Sequence, residues 1–564
     1  MTLEDIKFNI QKALGVESAL FSYPPRPELG DLSLACFEAA KTSRQNPADL
    51  AKAWAGRLSA NKELQPYFQE IRAVGPYLNF FIKSSYLAAQ VLPAIRSAGD
   101  EYGRNQSGQA QKVMIEYSNG NTHKEYHVGH LRNIAYGDAV NRLLAKNGYQ
   151  VIPVSYINDF GIHVAKTLWN WQRDKVYAER PEPKGYLLGR CYAKATQALA
   201  ENPAGKVAVA AIMQEIEGRR GASYQLWLET RRWSIDYFDS IYRELGIKFT
   251  HIFYENEVVD AGRKLVDELL EKGILVRSEG AIIADLEPYG LGVLPIIRSD
   301  GTALYPVADL ALASEKFRRY DINQSIYVID VRQSLYFKQL IKILELSGYR
   351  PAVRHLAYDF VTLPEGMMSS RTGNVITYQE LRDKIFEKLT AETAQRHRRW
   401  SERRIKQVAF NLTVSTIKFE MLKIGADKTI TFNINEALRF DGYTACYLQY
   451  GYARLRSILR KGWLARLFGR PDFTTLSVAK EKALLLALAR YPEVIAQAGT
   501  TYRPSELTQY LFELVQLSND YYHETNILKA ASRERRARLA LIAAVTQVLQ
   551  NGFTVLGLRI LEKM

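Results

Sequence analysis

The sequence predicts an α/β chain in three parts: an α+β N-terminal region, a central domain on a parallel sheet, and an all-helical C-terminal domain. Three observations carry this. Strand and helix patterns alternate from Lys112 onward. A polar, glycine-containing stretch, Ser97–Ala110, separates that region from what precedes it. From Tyr378 to the end, apolar residues recur only at helical spacing.

The elements follow in order. Apolar positions at helical spacing lead to Tyr77–Ile82 (YLNFFI), which reads as a strand. Lys112–Tyr117 (KVMIEY) reads as a buried strand, Gly129–Leu144 as a helix and Val151–Val154 as a second strand, the start of a β-α-β order. Residues 164–245 read as mostly helical, an insertion or helical face between sheet segments. Strand patterns return at Ala281–Ala284, Leu294–Arg298, Ile326–Ile329 and Ala357–Leu363, with a turn at Asp300-Gly301. Residues 378–425 form a linking helical segment before a helical part, 426–564, of ordinary domain size.

Composition bounds the class. A chain of 564 residues at roughly 150 residues per domain suggests three or four modules. With 47% hydrophobic and 24% charged residues, it has the balance of a soluble globular protein. Met1–Ile10 carries Glu4 and Asp5 and lacks the apolar core of a secretory signal. The apolar stretch Ala483–Ala489 is far short of the roughly 20 residues a membrane span needs. Cys36, Cys191 and Cys446 show neither metal-ligand spacing nor a disulfide framework, so a reducing cytoplasm is the expected compartment.

The net charge of +15 and pI near 9.3 favour polyanionic partners, nucleic acid first among them. Its distribution is more telling. Arg396, Arg398, Arg399, Arg403, Arg404 and Lys406 surround Trp400 on what reads as one helix. Arg454, Arg456, Arg460, Lys461, Arg466 and Arg470 follow an aromatic run, and Arg533, Arg535, Arg536 and Arg538 form a third set. One such set is ordinarily a solvated helix face; three in the last third of the chain favour a phosphate-tracking surface.

Two loops carry chemistry. After the Lys112–Tyr117 strand comes SNGNTHKEYHVGH, whose end, His127-Val128-Gly129-His130, opens a helix. A helix N-terminus presents free N–H groups and a positive dipole end, which suits phosphate. Gly129 lets a base or phosphate approach the backbone, and the two imidazoles can donate hydrogen bonds as charge develops in a displacement. His123 and His127 stand four apart like zinc ligands, but Lys124 occupies the place of the required glutamate, so metal is disfavoured. The second loop, Leu363–Asn374 (LPEGMMSSRTGN), sets Ser369, Ser370 and Arg371 between Gly366 and Gly373, able to close over a triphosphate.

Together these loops resemble the "HIGH" and "KMSKS" signatures of class I aminoacyl-tRNA synthetases, and over nearly its whole length the chain is similar to the arginyl-tRNA synthetases. The resemblance runs through Glu116–Gly137, Tyr156–Gly161 (YINDFG), Arg298–Tyr305 (RSDGTALY), Val331–Leu340 (VRQSLYFKQL), Tyr447–Arg454 (YLQYGYAR), Val548–Met564 and Glu28–Ser33 (ELGDLS). It implies a tRNA-binding N-terminal domain over 1–100 and a Rossmann-type catalytic domain over 110–377. It also implies an anticodon-binding domain over 426–564. The implied activity is arginine–tRNA ligation with ATP and Mg2+. The partners are arginine and tRNA-Arg, for a monomer away from membranes.

The resemblance places arginine at Glu116, Asn121, Tyr305, Asp309 and Gln333. Glu116 and Asp309 would take the guanidinium with the Tyr305 hydroxyl, a pairing that suits a planar cation with five donors. Asn121 and Gln333 would hold the α-amino and carboxylate ends. ATP is implied at His127, Gly129, His130, Met368, Ser369 and Ser370, with His127, His130, Lys124 and Arg371 catalytic. Tyr450, Arg454 and Arg456 would meet tRNA.

The chain departs from the family's pattern at several places. Met367-Met368-Ser369-Ser370-Arg371 lacks both signature lysines, and Lys124 stands where a lysine can substitute for one. Gly120, Glu125, Ala308, Tyr336 and Thr444-Ala445-Cys446 also differ from the usual residues; none is expected to remove an arginine contact. The departures keep a second reading open, a paralogue that binds RNA as a regulator or passes arginine to a non-tRNA acceptor.

Overall fold

Five strands run parallel through the centre of the protein in the order Ala352–Tyr358, Gln324–Asp330, Lys112–Glu116, Gln150–Ile157, His251–Tyr254. The first of these five in chain order therefore lies in the middle, with the next two on one side and the last two on the other. Strand order reverses between Lys112–Glu116 and Gln324–Asp330, and a crevice opens there at the carboxyl ends, where such sheets hold ligands. Val113, Met114 and Ile115 are wholly buried, because helices cover both faces of a parallel sheet. The computed structural model describes residues 3–17, 20–177, 179–200, 202–349, 352–362, 364, 376–467 and 469–564.

Three strand expectations change. Ala281–Asp285 and Val293–Ile297 lie outside the parallel sheet and pair antiparallel, with Val276–Ser278, in a separate three-stranded sheet. The short 3-10 turn Glu287–Tyr289 joins them, and a parallel crossover would need about a dozen residues or more. The expected Ala357–Leu363 strand is instead Ala352–Tyr358 followed by the short Val361–Thr362, which pairs with Ile430–Thr431. Leu363 is outside the described residues. The edge strand His251–Tyr254 is too short for its alternation to stand out.

The helical insertion comprises Ile162–Arg173, Lys184–Ala200, Pro203–Glu217 and Gly221–Leu245. The N-terminal region builds an antiparallel sheet in the order Phe21–Ser22, Leu32–Ala35, Tyr77–Ile82, Phe68–Val74. Asp31 secures it to the C-terminal helices, accepting from the Ile82 amide at 2.6 Å and pairing with Lys482 at 2.7 Å. No helix among the described residues is long and apolar enough to cross a membrane.

The basic cluster around Trp400 is not one helix. Tyr378–Arg396 ends on its first arginine and Glu402–Leu422 carries Arg403, Arg404 and Lys406, with the His397 ring stacked on Trp400 in the turn between, 3.8 Å apart. In the third cluster Arg538 is buried, its guanidinium on Glu481 at 2.8 Å, so it supports the helical core rather than an RNA surface.

The helix Val128–Lys146 locks these parts together. Asn133 accepts from the Ser118 amide at 2.5 Å and donates to the Val328 carbonyl at 2.7 Å, joining the two strands beside the crevice. Arg132 donates to the carbonyls of Phe360 and Gly425 at 2.9 and 3.0 Å. A Cβ on Gly137 would lie 2.3 Å from the Tyr117 ring, so only glycine lets the helix sit this close. Two turns beyond Arg132, Asp138 takes the buried Lys418 ammonium at 3.0 Å, and Arg142 at 3.0 Å. Asp138→Ala would strand Lys418 in the core and should cost about 3–5 kcal/mol. Adding Lys418→Met should restore most of that stability in chemical denaturation; a silent single variant would show that this joint bears no load.

Candidate active site

The HVGH residues are themselves the cap of the helix they open. The His127 Nδ1 accepts from the Gly129 amide at 3.1 Å, and the His130 Nδ1 accepts from the His127 amide at 3.1 Å, a reciprocal capping box. Each backbone donor obliges the nitrogen it meets to be an acceptor, so each ring carries its proton on Nε2. Burial, with Lys124 and Arg332 nearby, pulls His127 down to about 4. Burial, then His127 and Lys124, holds His130 well below the usual histidine range. Both imidazoles are therefore neutral near pH 7, with one N–H each to offer. Gly129 serves this cap too, since a Cβ there would press on the His127 ring at 3.0 Å.

His123 is a core residue and not a metal ligand. It adopts φ +61° in the loop, and its ring nitrogens meet the hydroxyls of Thr122 at 2.9 Å and Thr230 at 2.8 Å. Burial lowers its basicity to about 3. Lys124 turns back toward the histidines, with its ammonium 5.2 Å from the Tyr192 ring. Met368, Ser369, Ser370 and Arg371 lie outside the described residues.

On the other side of the crevice is an acidic pocket. Glu116 ends the central strand, buried, and Asp309 comes from the helix Tyr305–Tyr320. Burial first, and Glu116 beside it, lifts Asp309 to about 6. The Tyr336 hydroxyl donates to its carboxylate, so the residue that departs from the family's histidine touches an expected arginine ligand directly. The departure at this position therefore sits against the expected ligand, adding a donor to its carboxylate. Asn119 donates to the other expected ligand, Glu116, at 2.9 Å.

Tyr305 stands at the mouth, 63% exposed, near enough to Glu255 and Asp309 for their charges to push its phenol up, after burial. Asn121 bridges to Asn158 at the loop, and Gln333 is exposed just past the strand Gln324–Asp330.

Sequence reasoning missed two residues here. Glu255 begins the helix after the unrecognised strand His251–Tyr254; burial, then Asp159 and Asp309, raises it to about 8. One of its oxygens and the Tyr156 hydroxyl are buried without a hydrogen-bond partner among the described residues. Lys316, seven positions after Asp309 on the same helix, pairs with Glu116 inside the protein. A spacing of seven puts both on one helical face, the signal that could have found it.

A second concavity lies between the helices Glu402–Leu422 and Ala445–Lys461. A cavity of 410 Å³ is lined by His397, Trp400, Arg404, Tyr450, Arg454 and Arg460, among others. The Arg404 guanidinium lies 3.8 Å over Trp400, and Arg454 lies 4.9 Å over Tyr450. Cations interleaved with aromatic faces suit the stacked bases and phosphates of a single-stranded loop. Arg456, expected with them, instead pairs with Glu562 at 2.5 Å and ties down the C-terminal tail.

Three known domain families match the chain: the N-terminal domain of arginyl tRNA synthetase over residues 2–82, the catalytic domain of class I (R) tRNA synthetases over 91–433, and the DALR anticodon binding domain over 448–564. An arginine–tRNA ligase of Bdellovibrio bacteriovorus is 36% identical over 552 residues, covering 96% of this chain and 93% of that protein. One from Clostridium beijerinckii is 31% identical, covering 100% and 99%. The Thermus thermophilus arginyl-tRNA synthetase structure superposes with a TM-score of 0.82 at 27% identity, over 100% of this chain and 99% of that one. With a class I catalytic domain over more than half its length and full-length relatives above 30% identity, the chain belongs to the arginyl-tRNA synthetase family.

Proposed function

We propose that the protein is an arginine–tRNA ligase that uses the crevice for both chemical steps. The observation that carries this reading is the pairing of two inward carboxylates, Glu116 and Asp309, with a histidine-capped helix N-terminus at the point where strand order reverses. The guanidinium enters between the carboxylates, where a planar cation can be met by several acceptors at once. Tyr305 closes the mouth, and Asn121 and Gln333 hold the amino-acid end. Glu255 and Tyr156 add buried polar atoms still to be satisfied.

ATP lies along the helix N-terminus. A carboxylate oxygen of arginine attacks the α-phosphorus and the bond to pyrophosphate breaks, giving arginyl-adenylate. The neutral Nε2–H groups of His127 and His130 donate to the phosphoryl oxygens as their charge grows, and Lys124 supplies the positive charge. Neutral donors suit this role, because a fixed imidazolium would bind the ground-state triphosphate as strongly as the transition state. Magnesium bound to the triphosphate would supply charge neutralisation as its counter-ion, and Arg371 of the second loop is assigned to the nucleotide with it. A ribose hydroxyl of the terminal adenosine of tRNA-Arg, the 2′ one by class, then attacks the activated carbonyl and AMP leaves. Tyr450, Arg454, Trp400 and Arg404 receive the anticodon loop. A purely RNA-binding regulator would leave the paired carboxylates without a ligand.

Arginine-dependent ATP–pyrophosphate exchange, run with and without tRNA, tests the reading; exchange with arginine that requires tRNA is expected, and none under either condition would overturn it. Asp309→Ala should lower kcat/KM for arginine by about 100-fold or more with tRNA binding unchanged; intact arginine kinetics would refute the pocket. The pH profile carries a sign. Guanidinium needs the ionised Asp309, which is lifted to about 6, so kcat/KM for arginine should fall as the pH drops below about 6. A profile flat to pH 5 would contradict this.

A further inference from the structure

We propose that Lys316 is a positioning residue for arginine: a resident cation that fixes the Glu116 carboxylate and leaves the two-carboxylate pocket short of one positive charge, the charge a guanidinium brings. This rests on the arginine pocket proposed above and adds a residue to it.

Lys316 is 0% and Glu116 2% exposed, so their contact is shielded from water. The ammonium faces the Tyr327 ring at 4.3 Å and Phe253 at 5.7 Å, an aromatic wall that suits a cation. One Glu116 oxygen meets Lys316 and the other accepts from Asn119 at 2.9 Å. The carboxylate is thus held at both ends before any substrate arrives, and its remaining lone pairs are what a ligand can use. Asp309 lies two turns earlier on the same helix, so one rigid element carries the second carboxylate and the cation that holds the first.

Charge counting gives this arrangement a purpose. Glu116 and Asp309 contribute two negative charges and Lys316 one positive, so a bound guanidinium completes neutrality in a site of low dielectric. Without Lys316 the empty pocket would hold two uncompensated carboxylates, and burial would drive a proton onto the site. Arginine would then have to expel that proton to bind. Among the described residues, the other titratable or charged groups facing the pocket include Tyr327, Tyr336, Tyr156, Tyr305, Glu255 and the Asp159–Arg231 ion pair, whose two charges offset each other. Burial raises the four phenols, and Glu255, lifted to about 8, stays protonated below neutrality. The acid limb near 6 therefore belongs to Asp309, on which Lys316 exerts a lowering influence.

The test is tRNA-dependent ATP–pyrophosphate exchange by Lys316→Met and Lys316→Arg, with KM for arginine and for ATP followed from pH 5 to 9. For Lys316→Met the acid limb of kcat/KM for arginine should move up by about one pH unit. KM for arginine should rise about twofold at pH 7 and about tenfold at pH 5, recovering at high pH, while KM for ATP stays put. Lys316→Arg should keep the limb where the wild type has it. An unmoved limb in Lys316→Met overturns the proposal whatever happens to KM, because a merely structural lysine leaves the limb alone. If Lys316→Met does not fold, Glu116→Gln/Lys316→Met removes both charges and should be no worse with arginine than Glu116→Gln alone; a further tenfold loss would overturn the proposal. Wild-type protein inactive with arginine would instead bring down the functional reading, and this role with it.

Discussion

The N-terminus of the helix Val128–Lys146 is the constraint on which the site depends. A helix start must satisfy free N–H groups, and here the two histidines proposed to meet the nucleotide do so themselves. The same hydrogen bonds choose their tautomers and leave the ring proton on Nε2. Capping uses Nδ1 of each ring and the proposed chemistry Nε2, so neither could be changed without the other. Arg132, Asn133 and Gly137 then hold the helix against the sheet at a distance a larger residue would not permit.

The acidic pocket obeys a second constraint, the cost of charge in a low-dielectric interior. Each carboxylate there already has a partner: Lys316 and Asn119 on Glu116, Tyr336 on Asp309, Arg231 on Asp159 at 2.5 Å. The partial exception is Glu255, which has an unpartnered oxygen and which burial lifts to about 8. Such a pocket is preorganised rather than merely negative, and the orphaned atoms mark where a polyvalent donor would fit.

The aromatic-cation groove and the crevice are physically continuous through the helix Glu402–Leu422. Arg404 near its start lines the groove, and Lys418 near its end enters the core to meet Asp138 on the histidine-capped helix. The helix thus ties the groove mechanically to the body of the histidine-capped helix. The burial of Lys418 depends on that joint, because its ammonium has Asp138 as its charge partner.

What the chain's order of residues determined by itself was local or periodic. The buried strand Lys112–Glu116, the helix after it, the helical insertion and the helical C-terminus follow from apolar spacing, and the HVGH loop from its place between strand and helix. Family likeness singled out Glu116 and Asp309 as a pair, although they are far apart in the chain. Tertiary structure alone decided the rest. Whether Ala281–Asp285 joined the main sheet depended on connection length and pairing direction, which alternation does not encode. Lys316 and Glu255 carry no motif, and Tyr336 stood out only as a departure from one; their importance comes from being folded against a carboxylate or buried as one. Periodicity reports which face of an element is buried; which charges meet there is set by how the elements pack, and in a buried site that decides the chemistry.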